Sequence, residues 1–130
     1  RDRPYTEKFD AIWCCHVLEH NMDSGAFIRK LYKDLKLDGV CAITVPPAKH
    51  DIVCGHVSIW NAGLLLYNMV LCGFDCRAAA VKTYGYNISV IVQKKPACGC
   101  DASTPIEKLA TYFPIEVEQG FDGRIAKINW

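Results

Sequence analysis

Twelve residues near the start of the chain, Phe9-Asp-Ala-Ile-Trp-Cys-Cys-His-Val-Leu-Glu-His20, restrict its fold more than any others. A mainly apolar run, Phe9–Cys15, stops abruptly at His16, Glu19 and His20. Its length and composition predict a strand buried on both faces. Such a strand delivers ionisable groups to its C-terminal end, where open α/β sheets bind their ligands. His16, Glu19 and His20 are spaced i, i+3, i+4, so a helical turn after the strand puts all three on one face. Imidazoles and a carboxylate together suit a divalent metal ion.

The rest of the chain supplies the other elements of such a sheet. Asn21–Ser24 offers helix caps, with Asp23 or Ser24 as N-cap. A helix is predicted over Gly25–Leu37, with Phe27, Ile28, Leu31 and Leu35 as its apolar stripe. Arg29, Lys30, Lys33, Asp34 and Lys36 then face water as ordinary solvent surface. Asp38-Gly39 stops the helix, with Gly39 in the left-handed conformation. A second buried strand, Val40–Val45, ends at Pro46-Pro47. Ala48–Ser58 reads as a loop holding His50, Asp51 and His56. Asn61 caps a second helix, Ala62–Cys72, that buries Leu65, Leu66, Met69 and Val70 and ends at Gly73. Strands follow at Phe74–Lys82 and Tyr86–Lys94, joined by a link short enough to make an antiparallel hairpin. Beyond Pro96, Thr104-Pro105 starts a short helix with Ile106, Leu109 and Phe113 on its apolar face. Ile115–Glu118 and Arg124–Trp130 read as short strands. The order strand–helix–strand–helix–strand–strand is that of the second half of a doubly wound α/β sheet. Residues 1–95 form this partial domain and 96–130 a C-terminal tail packing on it.

Composition removes several classes of function. The chain has 130 residues, 51% hydrophobic and 22% charged, with a net charge of +1. This is a foldable single domain with no general electrostatic preference for nucleic acid or an anionic membrane. Its longest apolar stretch, Ala62–Cys72, is too short to span a bilayer. Eight cysteines invite a disulfide framework, yet Cys14, Cys15, Cys41 and Cys72 lie inside apolar runs, where a thiol acts as a small hydrophobe. A reduced, cytoplasmic protein is the reading that follows. Cys72-x-x-x-Cys76 and Cys98-Gly-Cys100 could supply four zinc ligands, but neither has the common C-x-x-C spacing.

The Phe-Asp-x-Ile strand, its His-Val-Leu-Glu-His end and the Leu-x-x-Gly-Val…Val-Pro strand resemble the second half of a class I S-adenosylmethionine-dependent methyltransferase, over about residues 7–95. The resemblance implies a Rossmann-like sheet whose last strand, Tyr86–Lys94, inserts antiparallel between Val40–Val45 and Phe74–Lys82. Phe9–Cys15 is then left at the edge of the sheet. It implies that Cys15 and His16 border the methionine part of the cofactor. Some members of this family, among them small-RNA 2′-O-methyltransferases and ubiquinone-pathway O-methyltransferases, carry a Glu-x-x-Glu-His here, associated with a divalent cation. Glu19 and His20 match its second Glu and its His, and His16 replaces its first Glu. The RNA enzymes add a histidine in the loop after the next strand, which His56, ahead of Trp60, matches. The implied metal ligands are His16, Glu19, His20 and His56.

The family's Gly-rich cofactor turn is missing. The nine glycines occur singly, and none makes the G-x-G spacing. The chain is therefore read as the C-terminal part of a larger enzyme, inactive alone. That enzyme moves a methyl group to a hydroxyl or amine of a small molecule or glycan. His16 or His20 serves as general base if no metal is present. Two rival readings stand beside this one. The first is a non-enzymatic half-fold, assembling as a homodimer through the Phe9–Cys15 edge, since a long apolar edge needs a cover. Tail strands are the other candidate for that cover. The second rival is a divalent-metal-binding protein.

Overall fold

The structure is a computed structural model that describes residues 9–114. The expected loop at Arg1–Lys8 and the expected strands at Ile115–Glu118 and Arg124–Trp130 lie outside those residues. The chain runs β1 (Phe9–Cys15), a 3-10 turn (Leu18–His20), α1 (Ser24–Asp34), β2 (Leu35–Val45), α2 (Ala62–Leu71), β3 (Ala80–Tyr84), β4 (Asn87–Gln93) and α3 (Ile106–Ala110).

The four strands form one open mixed sheet in the order β1-β2-β4-β3. β1 and β2 are parallel, and β4 runs antiparallel to both β2 and β3. The last strand thus inserts between its neighbours and the first lies at the edge, as the sequence implied. Cys41 faces Val92 and Ile43 faces Val90 across the central pair. Their side chains join Ile28 of α1 and Leu65, Leu66, Met69 and Val70 of α2 in a single core. Each of these large aliphatic side chains contributes roughly 1.5–3 kcal/mol by leaving water. Leu109 and Phe113 join the same core, whereas Ile106 is exposed.

β1 departs from the sequence reading. It is not buried on both faces: Cys14 is its one buried residue, and Trp13 is 79% exposed. The sheet stops at β1, and no described element covers that side of it.

Several boundaries also differ, for physical reasons. Asp23 caps α1 by accepting the Ala26 N–H at 2.8 Å. The helix ends at Asp34, three residues before the expected Leu37, and Leu35 already begins β2. The ammonium group of Lys94 donates to the carbonyls of Tyr32 and Leu35, at 2.5 and 2.7 Å. A side chain from the far end of β4 therefore supplies the cap that Gly39 was expected to give. The left-handed residue is Asp38 (φ 64°), not Gly39. Gly39 is needed for space instead, because a Cβ there would sit 2.9 Å from the carbonyl oxygens of Asp10 and Lys36. The pairing of β1 with β2 shifts register beside this contact.

Asn61 caps α2 through the Leu64 N–H, and Gly73 (φ 111°) follows the helix as expected. The strand expected at Phe74–Lys82 is confined to β3. Asp75 accepts the backbone N–H of Arg77 and pairs with its guanidinium, which fixes a local turn where the extended chain was predicted. The Arg77 contact holds the Asp75 carboxyl below its usual range.

The thiols of Cys14, Cys41, Cys72, Cys76 and Cys100 are buried. Burial pushes Cys14 up to about 11, with the charge of Glu19 adding to the shift, and Cys41 up to about 12. Among the described residues, Cys72, Cys76, Cys98 and Cys100 do not form a metal-ligating group. Cys72 and Cys98 instead direct their sulfurs to the carbonyls of Gly25 and Val70. No helix among the described residues is long and apolar enough to cross a membrane.

Candidate metal centre

The site is built where β1 runs out. The His16 N–H still donates to the Thr44 carbonyl at 2.9 Å, extending the parallel ladder by one bond. The backbone then turns sharply, with His16 at φ 51°, a left-handed conformation rare for a residue with a Cβ. Leu18–His20 coils into a single 3-10 turn. Leu18 plugs into the core, and Glu19 is carried in beside it until its side chain is fully buried.

The loop after β2 closes over this turn. Pro47 bridges to Trp60, and the Ala48 N–H donates to the Trp60 carbonyl, pinning the two ends of the loop together. In between, the Val57 N–H donates to the Glu19 carbonyl at 2.8 Å. Gly55, at φ 87°, turns its own carbonyl to within 2.7 Å of Nδ1 of His20. His56 follows and enters the site, only 15% exposed.

Three imidazoles thus surround one carboxylate. Oε1 of Glu19 lies 3.3 Å from Nδ1 of His16, 3.7 Å from Nε2 of His20 and 4.0 Å from Nε2 of His56. Donor atoms of Glu19, His20 and His56 all lie within 4.8 Å of one another. The rings of His20 and His56 meet edge to face at 4.8 Å. Yet neither carboxylate oxygen of Glu19 has a hydrogen-bond partner. A buried, unsatisfied carboxylate costs several kcal/mol.

The hydrogen bond to Gly55 explains part of that vacancy in bonding. A carbonyl only accepts, so His20 carries its proton on Nδ1. When that ring is neutral, Nε2 is its lone pair, 3.7 Å from the carboxylate. A cation between them satisfies both. Residues that hold a metal through one histidine nitrogen commonly fix the other with a backbone carbonyl in this way. The donor set present, one buried carboxylate with imidazole nitrogens around it, fits a divalent ion.

All four sequence-derived ligands, His16, Glu19, His20 and His56, are brought together. His16 touches Glu19 but is not among the three mutually closest donors. Cys15 ends β1 opposite Thr44 with its side chain exposed. His50 and Asp51 are exposed loop residues. Three contributors were not foreseen: Gly55, Asn87, whose Oδ1 lies 2.8 Å from Nε2 of His16, and Tyr86, whose ring stacks 6.1 Å from that of His16. Asn87 is distant in sequence and carries no local signal. A shallow depression lined by Pro46, Pro47, Lys49, Trp60 and Tyr86 leads to His56. Lys49 holds its ammonium 4.5 Å above the Tyr86 ring.

In comparisons with known proteins, the chain matches no protein-family model and no curated protein.

Proposed function

We propose that the chain binds a divalent metal ion at Glu19, His20 and His56, and that this centre is the acceptor side of an S-adenosylmethionine-dependent methyltransferase. The observation that carries the metal is the buried Glu19 carboxylate, without a hydrogen bond and ringed by imidazole nitrogens at 3.3–4.0 Å. The methyltransferase half of the reading rests on the resemblance of the His-Val-Leu-Glu-His strand end. The insertion of β4 between β2 and β3 agrees with it.

The acceptor is a hydroxyl or amine of a small molecule or glycan, entering by the depression beside Tyr86. A divalent ion in the centre supplies Lewis acidity, lowering the pKa of a bound hydroxyl. Around it, Glu19 and His56 orient the acceptor, and the loop carrying Val57 keeps water from the carboxylate. Without an ion, the free nitrogen of His16 or His20 takes the acceptor proton as general base. The described residues do not make a cofactor site by themselves. Cys15 and His16 border it in this reading, but Cys15 is exposed, Nε2 of His16 is engaged by Asn87, and the chain has no G-x-G turn. Its ribose and adenine contacts are assigned to residues beyond this chain. The five buried thiols suit the reducing cytoplasm, where we place the protein.

Calorimetric titration with Zn²⁺, Mn²⁺ and S-adenosylmethionine tests this. Metal heat is expected at one ion per chain, with a dissociation constant on the order of micromolar or tighter. Glu19→Gln and His56→Ala should abolish it, and the cofactor alone should give no heat. Absence of metal binding in the wild-type chain sinks the reading.

A second reading is favoured by β1. Its exposed edge and Trp13 suit a non-enzymatic module that assembles with a second copy of itself. Sedimentation across a concentration series separates the two.

A further inference from the structure

We infer that His16 is a fourth ligand, held in its ligating tautomer by Asn87, and that the centre therefore selects a borderline transition-metal ion such as Zn²⁺ or Co²⁺ over Mg²⁺. This rests on the metal reading above and deepens it. It does not depend on methyl transfer.

The argument begins with the proton on His16. Its Nε2 lies 2.8 Å from Oδ1 of Asn87, and an amide oxygen only accepts. Nε2 therefore carries a hydrogen, and in the neutral ring, the form that binds a metal, Nδ1 is the lone pair. That lone pair is the nitrogen 3.3 Å from Oε1 of Glu19. His16 thus repeats, with Asn87, what His20 does with Gly55: the outer nitrogen is fixed by a protein acceptor and the inner one faces the buried carboxylate. Two independent acceptors, from the 48–59 loop and from β4, impose the same polarity on two rings.

The ring has little freedom to turn away. His16 is locked at φ 51° by the bond from its N–H to Thr44 at the end of β2. Its face stacks on Tyr86, the residue before Asn87. The hairpin between β3 and β4 therefore sets both the plane and the tautomer of the ring. Nδ1 of His16 lies outside the set of mutually closest donors, so ligation requires its side chain to move toward His20 and His56 about Glu19 Oε1, which lies 3.3, 3.7 and 4.0 Å from the three nitrogens.

The chemistry of the set then decides the ion. Three imidazole nitrogens and one carboxylate oxygen make a nitrogen-rich sphere. Zn²⁺ and Co²⁺ take such ligands at low coordination number. Mg²⁺ prefers six oxygens and gives up its water reluctantly, so a buried, mainly nitrogen site suits it poorly. A second carboxylate in place of His16 would have moved the balance toward oxygen.

The test uses Co²⁺ as a spectroscopic probe, titrated into the whole chain, followed by competition with Zn²⁺ and Mg²⁺. The expected result is an intense visible band of a low-coordinate Co²⁺ centre. Zn²⁺ should displace it at one equivalent, and Mg²⁺ should leave it intact even at a roughly thousandfold excess. Asn87→Leu, which cannot accept the Nε2 hydrogen, should weaken Co²⁺ binding about 10–100-fold, as loss of an outer-shell partner does, and alter the band. Asn87→Asp, which still accepts, should restore both. In the metal-free chain, nitrogen-15 shifts should place the His16 hydrogen on Nε2. The inference is overturned if Mg²⁺ competes on equal terms, if Asn87→Leu leaves affinity and band unchanged while its melting curve is native, or if His16 carries its hydrogen on Nδ1. Failure of every ion to bind overturns the metal reading itself, and this one with it.

Discussion

At the scale of single residues, Glu19 dominates. It follows Leu18 in the 3-10 turn, both residues are fully buried, and the loop after β2 closes on it through the Val57 N–H. In the metal-free chain the carboxylate is a liability, because neither oxygen is hydrogen-bonded. Glu19→Gln removes the charge and offers an amide N–H to the nitrogens of His16 or His20. The variant should be more stable than the wild type without metal, by roughly 1–3 kcal/mol. With Zn²⁺ present the order should invert, since ligand binding to the native state raises only the wild-type midpoint. Thermal melts with chelator and with Zn²⁺ check both signs. A wild type that is more stable than Glu19→Gln in chelator would mean the carboxylate is satisfied by its neighbours alone. His16, Glu19 and His20 were legible because ionisable groups interrupt an apolar pattern at a strand end, whereas His56 came only from the family resemblance and by itself reads as a loop histidine. Asn87 and Gly55 were not. Their role is defined by which atom of a distant histidine they meet, and nothing in their immediate neighbours records that.

At the scale of elements, strand identity was written in the apolar runs, their order came from the family resemblance, and boundaries were set by contacts remote in sequence. The end of α1 is the clearest case. Local pattern extended the helix to Leu37, but Lys94 reaches back from beyond β4 to take the Tyr32 and Leu35 carbonyls, and β2 starts at once. Lys94 also lies 4.3 Å from the Tyr32 ring. Lys94→Met keeps the apolar stem and removes the donor, leaving two carbonyls unsatisfied in a buried place. A loss of about 2–3 kcal/mol is expected in urea or thermal unfolding. A loss within error of zero would show that water or another donor replaces the ammonium group. The buried thiols add a pH dependence at the same scale. The Cys14 thiol is raised from 9.0 to about 11, and that of Cys41 from 9.0 to about 12. Both stay neutral in the fold while the unfolded chain ionises above its own value. Their contribution is thus complete below pH 9 and lost as pH rises through 9 toward 12. Alkaline unfolding should move to higher pH in Cys14→Ala, provided its native packing survives at pH 7. An unchanged alkaline midpoint would assign the transition to other groups.

At the scale of the whole molecule, the unresolved tension is between the composition of β1 and its position. The sequence of Phe9–Cys15 suits a strand enclosed on both sides, and the sheet places it at an edge. No described strand pairs with its outer edge, and edge strands normally carry charges that prevent such pairing. Here β1 carries one charged residue, Asp10, which forms an exposed pair with Lys36 at 2.9 Å. On the strand's open face, Ala11 and Trp13 are exposed, and neighbouring Val40 of β2 is exposed as well. If a second copy covers this edge, antiparallel pairing about Ile12 sets Ala11 opposite the partner's Trp13 and brings no like charges together. Trp13→Lys should then abolish association without lowering the melting point of the monomer, because Trp13 belongs to no part of the core. Sedimentation equilibrium gives the association constant, and the emission of Trp13 should shift to shorter wavelength as the wild type assembles. A wild type that stays monomeric at every accessible concentration, with tryptophan emission that does not shift with concentration, would remove self-assembly. It would leave the open side of β1 without a second copy to cover it, in a fold class where parallel strands of this composition are ordinarily closed on both faces.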